Sequence, residues 1–583
     1  MKRELIKNLI SKEDGSEVCL SGWVDSKRDL GNLIFIYLRD ISGLVQIVFD
    51  PEKVKVVWEK SRNLKPEWVI RIKGNLSFRP GENVLEKHST GNIEVLASEL
   101  EILNDSKILP YELKEGEKIK EELRLKYRYL DLRRTELKDN IVFRSEIFYR
   151  LREFLHKEGF IEIETPILIK STPEGARDFI VPSRNFPKKF YALPQSPQLL
   201  KQLLQVAGFE KYYQMARCFR DEDLRADRQP EFTQLDIEMS FIEMDDIIEM
   251  VERLVNYVLK EVLNINLKIP IQRISYHDAM EKYGTDKPDV RFELLLEDFT
   301  NDFKEIDFKI LQTVIDSGNR IRGLRLEDID YFSRKRIDLL TNELKSFGIP
   351  GMIYIKRKNN EISSSIKKFL TEDIISKLNI KDGETILILA GSDDLINPAL
   401  SYLRNKLGRE LNLVKDDLAF LWVVDFPLLE FDSDSNTWTY KHHPFTQPFE
   451  PEKLMKGDDL AGIKARAYDL ILNGEEVAGG SIRNHDIQVQ KQIFETMNIP
   501  EEIYMKQFGF LLEALEFGAP PHGGIAFGMA RLIASLIGIE NIRNVMAFPK
   551  TTSGNCLMTG APDSVSAEQL HELKIKILKN EKE

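Results

Sequence analysis

The chain has 583 residues, of which 42% are hydrophobic and 31% charged, and its formal net charge is −12. This length predicts three or four domains, and the composition is typical of a globular protein with an apolar core. No stretch approaches the roughly 20 apolar residues needed to span a bilayer, and the N-terminal segment is charged, so we expect neither a membrane partner nor a signal peptide. The acidic average does not exclude nucleic acid, since RNA binding requires only a local basic patch.

The three cysteines, Cys19, Cys218 and Cys556, lie far apart in the chain and lack the spacing of metal ligands. We therefore expect reduced thiols in a cytoplasmic protein.

The N-terminal segment, 1–106, is predicted to be all-β apart from one helix. Short alternating runs separated by turn residues predict five strands, at 17–24, 31–38, 44–49, 67–76 and 92–103, with a helix near 52–62. Five strands and a helix in a segment of this size favour an OB-type barrel, a fold that commonly binds single-stranded nucleic acid. Another small β-barrel or a sandwich is the alternative.

The remaining chain is predicted to contain five segments, and the whole to be an α+β multidomain protein. A charged hinge at 107–137 leads into mixed helices and strands at 138–279, beginning with a helix at 138–158. An inserted α/β domain rich in Lys, Asp and Ile occupies 280–417. Polar motifs resume at 418–555, and a C-terminal extension covers 556–583.

The segment 218–232 carries the densest polar motif. Arg220 precedes Asp221 and Glu222, and Gln229 and Phe232 follow. A guanidinium flanked by carboxylates in an apolar frame suits phosphate binding, because it can grip two oxygens at once. A surface loop of salt bridges is the alternative.

A second motif, at 523–531, places paired glycines before an apolar run, a further glycine at Gly528 and then Arg531. Glycine lets backbone approach a base and phosphates closely, and an arginine at the start of a helix can neutralise a polyphosphate. A Gly-rich turn alone is common, but together the two motifs indicate a nucleotide site.

These two segments resemble motifs 2 and 3 of class II aminoacyl-tRNA synthetases, and 160–166, ending in Pro166, resembles motif 1. The runs 219–234, 172–178 and 193–201 are similar to the aspartyl members, and the insertion resembles the extra domain of the bacterial branch. The resemblance implies a catalytic domain built on an antiparallel sheet, with an N-terminal OB barrel that binds the anticodon. It also implies a homodimer with motif 1 at its interface.

The implied activity is activation of L-aspartate with ATP to aspartyl-adenylate, followed by transfer to the 3' end of tRNA-Asp. The alternatives are a related enzyme charging asparagine or lysine, an enzyme that also charges tRNA-Asn, and a non-catalytic RNA-binding descendant. The last would be expected to lose the phosphate-binding arginines or the metal-binding acids.

For ATP, the resemblance implies that Arg220 holds the α-phosphate and Arg531 the far phosphate. The other ATP-binding residues implied are Asp221, Glu222, Gln229, Phe232, Glu476, Gly528, Met529 and Ala530. Phe232 would stack on adenine, its alternative being core packing. The family has an aspartate where this chain has Ala530, so we expect activity to survive with an altered ATP affinity.

Asp469 and Glu476 resemble the pair of acids that holds catalytic Mg²⁺, a hard cation that prefers carboxylate oxygens. Without the resemblance they would be taken for surface acids.

For aspartate, Glu174 resembles the acid near the ammonium group. Gln198, Lys201, His442 and Arg483 resemble the group around the side-chain carboxylate, and Arg220 also contacts the substrate. The alternatives are a solvated helix position for Lys201 and a loop histidine for His442. No residue is assigned as the base of the transfer step.

For the anticodon, the resemblance points to Arg28, Leu30, Phe35, Gln46 and Glu94. Phe35 would stack on a base, although its neighbours Ile34 and Ile36 would also suit a barrel core. Leucine at position 30 tends to accompany specificity for tRNA-Asp and histidine relaxed specificity. The alternative is that Leu30 only caps the barrel.

Overall fold

The computed structural model describes residues 2–80, 90–172, 175–225, 227–327, 330–432 and 435–578. The chain forms two compact units, Met1–Ile119 and Lys120–Glu583. No helix in these described ranges is long and apolar enough to cross a membrane.

The first unit is a closed five-stranded barrel with strand order β1-β2-β3-β5-β4. Its strands alternate, so that Ile34, Ile36 and Leu38 point inward while Phe35 lies on the outer face. The helix α1 begins after Asp50, whose side chain accepts a hydrogen bond from the Glu52 amide at 2.8 Å. The elements are β1 (Glu17–Asp29), β2 (Ile34–Asp40), β3 (Gly43–Phe49), α1 (Pro51–Ser61), β4 (Val69–Phe78) and β5 (Ile93–Asn104), with 3₁₀ turns at Ile6–Ser11 and Leu113–Lys118. The predicted OB-type barrel is confirmed.

The second unit contains two larger sheets and two small hairpins. Its strands are β6 (Ile161–Glu162), β7 (Ile180–Pro182), β8 (Phe190–Ala192), β9 (Lys211–Phe219), β10 (Glu231–Ser240), β11 (Arg273–Ser275), β12 (Leu296–Asp298), β13 (Arg320–Leu326), β14 (Ile353–Lys358), β15 (Glu361–Ser364), β16 (Thr385–Gly391), β17 (Phe420–Val424), β18 (Leu429–Asp432), β19 (Thr437–Tyr440), β20 (Ala467–Leu472), β21 (Glu475–Ile482) and β22 (His522–Gly528). Its helices are α2 (Glu121–Lys126), α3 (Arg128–Asp131), α4 (Thr135–Lys157), α5 (Gln198–Val206), α6 (Met244–Leu263), α7 (Tyr276–Tyr283), α8 (Lys309–Asp316), α9 (Arg334–Leu344), α10 (Glu372–Leu378), α11 (Asp393–Glu410), α12 (Pro451–Lys456), α13 (Ile487–Thr496), α14 (Glu501–Leu515), α15 (Met529–Leu536) and α16 (Ala567–Leu573).

The predicted hinge at 107–137 spans the division between the two units, and its second part, 120–137, is largely helical and belongs to the second unit. The reason is that its charges are satisfied internally. Arg128 is buried and donates to Asp131 at 2.8 Å and to the carbonyl groups of Arg543 and Met546 at 2.9 Å each.

The main sheet has the order β11-β17-β20-β21-β22-β10-β9-β6. Its six central strands are antiparallel, and β11 and β6 join its two edges as parallel strands. Helices α4, α6 and α15 cover one face and bury a large apolar core that includes Leu235, Trp422 and Ile525. The opposite face carries the polar residues of the two motifs. The predicted antiparallel catalytic sheet is therefore confirmed.

The inserted region forms its own five-stranded sheet, in the order β12-β13-β16-β14-β15, packed between helices α8 to α11. The prediction that an α/β domain is inserted in the chain is thus confirmed, while its predicted first and last residues, 280 and 417, stay a prediction. One of its first residues contacts the main sheet: a Cβ at Gly474, in the β20–β21 turn, would lie 3.1 Å from the Cβ of Asp289. Asp289 is buried and holds Arg291 through two hydrogen bonds of 2.9 and 2.7 Å.

Candidate active site

Two adjoining cavities open on the polar face of the main sheet, with volumes of about 260 and 620 Å³. They share their walls, and the residues common to both are Arg220, Glu222, Arg228, Gln234, Glu476 and Ala526. The first cavity extends toward Arg531 and the second toward Lys201 and Arg483. The two sequence motifs, about 300 residues apart in the chain, therefore meet in one cleft, because β10 and β22 are neighbouring strands.

Arg220 lies directly after β9, where its amide donates to the Pro230 carbonyl at 2.9 Å and so closes the loop. Its guanidinium lies 5.2 Å from the ring centroid of Phe232 and has no carboxylate partner among the described residues. By contrast, Arg228 pairs with Glu222 at 2.9 Å. The salt-bridge alternative thus holds for the outer part of the loop but not for Arg220, which is left available for an anion.

The predicted ATP residues separate into two groups. The side chains of Arg220, Glu222, Gln229, Phe232, Glu476, Ala530 and Arg531, and the backbone of Gly528, line the first cavity. Two others do not line it: Met529 is fully buried in the core, and the Asp221 carboxylate lies 3.8 Å from Arg177. Nucleotide binding by these two residues stays a prediction, since neither lines the cavity.

Gln229 is buried and its amide is already used within the protein. It donates to the Lys550 carbonyl at 3.1 Å and accepts from the Lys550 amide at 2.7 Å. Phe232 is half-buried and lines the cavity, so the core-packing alternative is wrong for this ring. Gln229 is therefore a fixed part of the wall of the first cavity, and Phe232 presents an aromatic ring to the same cavity.

Arg531 stands in the first turn of α15, and its Nη1 donates to the Glu476 carbonyl at 2.8 Å. Its Nη2 lies 3.7 Å from Asp227, a loose contact. The preceding residue, Ala530, is buried against the core and on the cavity wall. An acid at 530 would therefore lie at this wall, which is why its absence bears on the nucleotide side of the cleft.

Asp469 and Glu476 converge over Gly479. A bulge between Leu470 and Ile471 shifts the pairing of β20 with β21, and a Cβ at Gly479 would lie 2.6 Å from Asp469 Oδ1 and 3.4 Å from Glu476 Oε1. Asp469 is buried, so the surface-acid alternative is wrong for it. No group of three or more His, Cys, Asp and Glu suited to a metal occurs in the described part of the chain. Two converging carboxylates fit a cation that takes its other ligands from substrate and water.

His442 contacts this acid pair, with its Nε2 2.9 Å from Asp469 Oδ1. Burial raises the pKa of Asp469 to about 6, although the histidine opposes the rise. Burial alone would lower the pKa of His442, but the Asp469 carboxylate raises it above its ordinary value. His442 is thus a loop histidine whose Nε2 is satisfied by Asp469, and its role in aspartate binding stays a prediction.

Lys201 and Arg483 lie in a buried group of four charges that they form with Asp236 and Glu238. Lys201 Nζ is 3.2 Å from Asp236 Oδ1 and 3.1 Å from Glu238 Oε2. Arg483 holds the same Glu238 through contacts of 2.9 and 3.2 Å, and it also donates to Ser481 at 2.7 Å. The solvated-helix alternative for Lys201 is wrong, since its side chain is 1% exposed.

The pKa values of the two carboxylates in this group shift in opposite directions. Burial raises the pKa of Asp236 above its ordinary value, despite Lys201. Burial would also raise the pKa of Glu238, but Arg483 and Lys201 lower it to about 2. The Glu238 carboxylate fits here because residue 524 on β22 is glycine, and a Cβ at Gly524 would overlap that carboxylate. The four charges balance, and both cations still border the second cavity.

Asp236, Glu238 and His443 are not among the site residues that the sequence predicts. The two acids alternate along β10 and therefore point to the same face, a pattern visible in the sequence, but their burial is not. His443 lines the second cavity, and burial lowers its pKa well below the ordinary value. The adjacent pair His442-His443 was the available signal.

Two further residues predicted to bind aspartate have different outcomes. Gln198, the first residue of α5, is buried on the wall of the second cavity, and its Nε2 has no hydrogen-bond partner in the described ranges. Glu174 lies outside the described residues.

The predicted anticodon residues occupy one outer surface of the barrel. Phe35 is half-buried and pairs across the strands with exposed Arg28, while Ile34 and Ile36 form the core, so the core alternative for Phe35 is wrong. Gln46 donates to Glu94 at 3.0 Å on the neighbouring strand. Leu30, in the β1–β2 turn, is 71% exposed.

Comparisons with known proteins agree with this arrangement. Residues 120–552 match the tRNA synthetases class II (D, K and N), and residues 18–103 match the OB-fold nucleic acid binding domain. The chain is similar to the Aspartate–tRNA(Asp/Asn) ligase of Caldanaerobacter subterraneus subsp. tengcongensis, with 47% identity over 97% of this chain and 96% of that protein. It is also similar to the Aspartate–tRNA ligase of Thermosipho africanus, with 50% identity over 97% of this chain and 96% of that protein.

Among solved structures, the asparaginyl-tRNA synthetase from Pyrococcus horikoshii complexed with asparaginyl-adenylate superimposes with a TM-score of 0.60. It is 20% identical, and the match covers 94% of this chain and 98% of that one. At this identity the likeness concerns the fold alone. The family match over most of the chain and the full-length relatives lead to one conclusion: the chain belongs to the class II tRNA synthetase family of D, K and N enzymes.

Proposed function

We propose that the chain is an aspartate–tRNA ligase, which activates L-aspartate with ATP and transfers it to the 3' end of tRNA-Asp. The observation that carries this proposal is the pair of buried cations, Lys201 and Arg483, at the wall of a cavity that joins the Arg220 site. Such a pocket suits a substrate with a carboxylate side chain beside a phosphate-binding arginine. The full-length relatives support the same activity.

In the first step, an oxygen of the aspartate α-carboxylate attacks the α-phosphorus of ATP. A P–O bond forms, and the bond to pyrophosphate breaks. The carboxylate is already ionised at neutral pH, so the protein needs to supply no base. Its task is alignment and charge neutralisation, for which Arg220 is placed at the junction of the two cavities and Arg531 at the far end of the first.

Asp469 and Glu476 would hold Mg²⁺, with the remaining ligands coming from phosphate oxygens and water. Their convergence over Gly479 supports this role. The cation would neutralise charge on the phosphates as pyrophosphate departs.

Selection of aspartate rests on charge. Asparagine has nearly the same shape, but its neutral amide would interact less strongly with Lys201 and Arg483 than the carboxylate of aspartate would.

In the second step a terminal ribose hydroxyl of the tRNA attacks the carbonyl carbon of the adenylate. An ester forms, AMP leaves, and the hydroxyl proton departs to a base that we do not assign. The outer barrel surface around Phe35 would bind the anticodon and so select the tRNA.

A second candidate is an enzyme that charges tRNA-Asn as well as tRNA-Asp. The name of the Caldanaerobacter relative, Aspartate–tRNA(Asp/Asn) ligase, favours it. Leu30 favours the tRNA-Asp-specific enzyme, because an exposed leucine gives the wrong base no hydrogen bond to offset its desolvation. Charging of tRNA-Asp and tRNA-Asn transcripts by the unmodified chain and by Leu30→His decides between them. Comparable efficiencies on both transcripts would establish the dual enzyme.

The chain would act as a homodimer in the cytoplasm. Apolar side chains are exposed around Pro166: Ile161, Ile167 and Leu168 are 49, 47 and 52% exposed. An exposed apolar group of this kind marks an interaction surface, and a two-fold dimer is the commonest closed assembly.

Pyrophosphate exchange with aspartate, asparagine and lysine tests the main proposal. Exchange should depend on aspartate alone, and aspartate should then appear on tRNA-Asp. Exchange with asparagine or lysine in preference would establish one of the related enzymes, and no exchange with any of the three would establish a non-catalytic protein.

A further inference from the structure

A cavity of about 580 Å³ lies in the inserted region, outside the cleft described above. It is formed by the β14–β15 hairpin, the start of α9 and the 3₁₀ turn Lys367–Phe369. We call it the lysine cavity, because its walls carry Lys356, Lys358 and Lys367. The proposed aspartate and ATP sites use none of these residues.

Two of the three lysines have no carboxylate partner among the described residues. Lys358 pairs with Asp330, but neither Lys356 nor Lys367 lies within ion-pair distance of a described acid. Lys356 is half-buried, and burial lowers its pKa below the ordinary value. The Asp330 carboxylate opposes this shift but lies beyond ion-pair distance of Lys356, so an anionic ligand in the cavity would stabilise the ammonium group further.

Hydroxyl groups complete the cavity wall. Ser363 is exposed on β15, and its hydroxyl makes no hydrogen bond in the described part of the chain. Ser333 and Ser364 already accept bonds from the amides of Arg336 and Ile366, at 3.3 and 3.1 Å, which leaves their hydroxyl protons free to donate. Ammonium and hydroxyl donors around a concave space suit phosphoryl oxygens.

The sequence around the lysine cavity is basic although the whole protein is acidic, and the three lysines outnumber the two acids on the cavity wall, Asp330 and Glu361. Between positions 354 and 368 the chain has five Lys or Arg residues and one acid, Glu361, although the net charge of the protein is −12. Exposed Arg334 and Lys335 at the start of α9 extend this basic surface. A concentrated basic surface on an acidic protein is the electrostatic signature of a polyanion site.

We propose that the lysine cavity binds phosphate groups of an RNA backbone, and that the RNA is the tRNA substrate. This inference rests on the proposed function. No exposed aromatic ring lines the cavity in the described ranges, since Phe332 is buried, so the contact would be to phosphates and independent of sequence. The same chemistry would also accept free phosphate, and the experiment distinguishes the two sources.

The test uses the full chain with Lys356→Glu and Lys367→Glu combined. Its matched control is Lys304→Glu with Lys345→Glu, two exposed lysines of the inserted region that do not line the cavity. The readouts are the Kd for tRNA-Asp at several salt concentrations, the shift in Tm with inorganic phosphate, and aspartate-dependent pyrophosphate exchange. Exchange should be unchanged in both variants, because neither touches the cleft.

Loss of two phosphate contacts should weaken tRNA binding about tenfold near 0.1 M salt and reduce the salt slope by about 1.4–1.8. The control variant should match the unmodified chain. An unchanged Kd and slope in the cavity variant would overturn the proposal, and so would a loss confined to the phosphate-induced shift in Tm, which would identify free phosphate as the ligand. Failure of the unmodified chain to exchange pyrophosphate or charge tRNA would instead overturn the proposed function.

Discussion

Arg220 differs from its neighbours Arg217 and Arg228 in having no acid among the described residues to neutralise it. We expect Arg220→Ala to lower aspartate-dependent pyrophosphate exchange by at least about 100-fold, because the guanidinium should act mainly as charge develops on the phosphate. The unfolding transition should be unchanged, since the side chain makes only one long hydrogen bond within the described ranges, to the Gln195 carbonyl at 3.4 Å.

The matched control for this experiment is Arg217→Ala on the preceding strand, whose side chain pairs with Glu231 at 2.6 Å and is 42% exposed. It should retain near-normal exchange. Near-normal exchange by Arg220→Ala as well would remove this arginine from the site.

Glu238 gives a prediction about pH and stability. Its pKa is about 2 in the folded protein and lies well below the ordinary value of 4.5, so its contribution to stability is present above pH 4.5 and is lost as the pH falls toward 2. Glu238→Gln should lower the free energy of unfolding by about 3–5 kcal/mol at pH 7, because Lys201 and Arg483 lose a buried partner.

The difference in unfolding free energy between the Glu238→Gln variant and the unmodified chain should therefore shrink as the pH falls from 4.5 toward 2. Urea unfolding at several pH values measures it, with Glu249→Gln as the control, at an exposed position that has no ion pair in the described part of the chain. A difference that stays constant with pH would mean that Glu238 is not ionised in the folded protein.

At the residue scale, the motifs in the sequence predicted which residues belong to the candidate site, but they did not predict which other residues those side chains contact. The resemblance of the segment 193–201 predicted that Lys201 belongs to the site. Its burial, however, depends on ion pairs with Asp236 and Glu238, which lie on a different element, β10. Likewise, nothing in the sequence indicated that the Gln229 amide would be taken up by Lys550, more than 300 residues later. Pairings of this kind are set by strand order.

The β20–β21 hairpin shows how an element positions two acids at once. Gly479 leaves space for both carboxylates, and Gly479→Ala should push them apart, since the new Cβ would lie 2.6 Å from Asp469 Oδ1. We expect pyrophosphate exchange to fall about tenfold or more, equivalent to about 1.4 kcal/mol, with a higher Mg²⁺ requirement.

Gly351→Ala is the control for this change, because a Cβ at Gly351 meets nothing within 4 Å among the described residues. A Gly479→Ala enzyme with normal Mg²⁺ dependence would show that the two acids do not act as a pair on the metal.

The barrel gives an independent prediction, because it forms a compact unit of its own. Phe35→Ala should weaken binding of tRNA-Asp by about 1–3 kcal/mol through loss of one stacked base, while Phe35→Tyr should retain binding. Pyrophosphate exchange without tRNA should be the same in all three proteins. Equal tRNA affinity in Phe35→Ala would exclude this ring from the anticodon surface.

Among the elements, the barrel was the most predictable part, since period-two alternation and turn residues fix strands locally. The predicted strand at 31–38 is observed as Ile34–Asp40 because Leu30 to Leu33 form the turn. The stretch 120–137 was the least predictable. Its charges predicted a hinge, yet Arg128 is satisfied by Asp131 and by carbonyl groups more than 400 residues away.

For the whole molecule we expect a dimer. The unmodified chain should sediment at twice its 67.6 kDa mass, and Ile167→Asp should shift it toward the monomer, because it places a charge in the exposed apolar group near Pro166. Leu339→Asp, at a 46% exposed position of α9, is the control and should leave the mass unchanged. A fully active monomer of the unmodified chain would refute the dimer.

The contact between Asp289 and Gly474 has a consequence for how this protein can be shortened. The inserted sheet begins only at β12, but Asp286 already lines the second cavity and Asp289 lies against Gly474 in the β20–β21 turn. A deletion that begins at residue 280 would therefore remove part of the wall of the second cavity together with the insertion. We therefore expect a minimal enzyme to keep residues 280–291 and to rejoin the chain after them, and an exchange of the insertion between relatives should begin after residue 291.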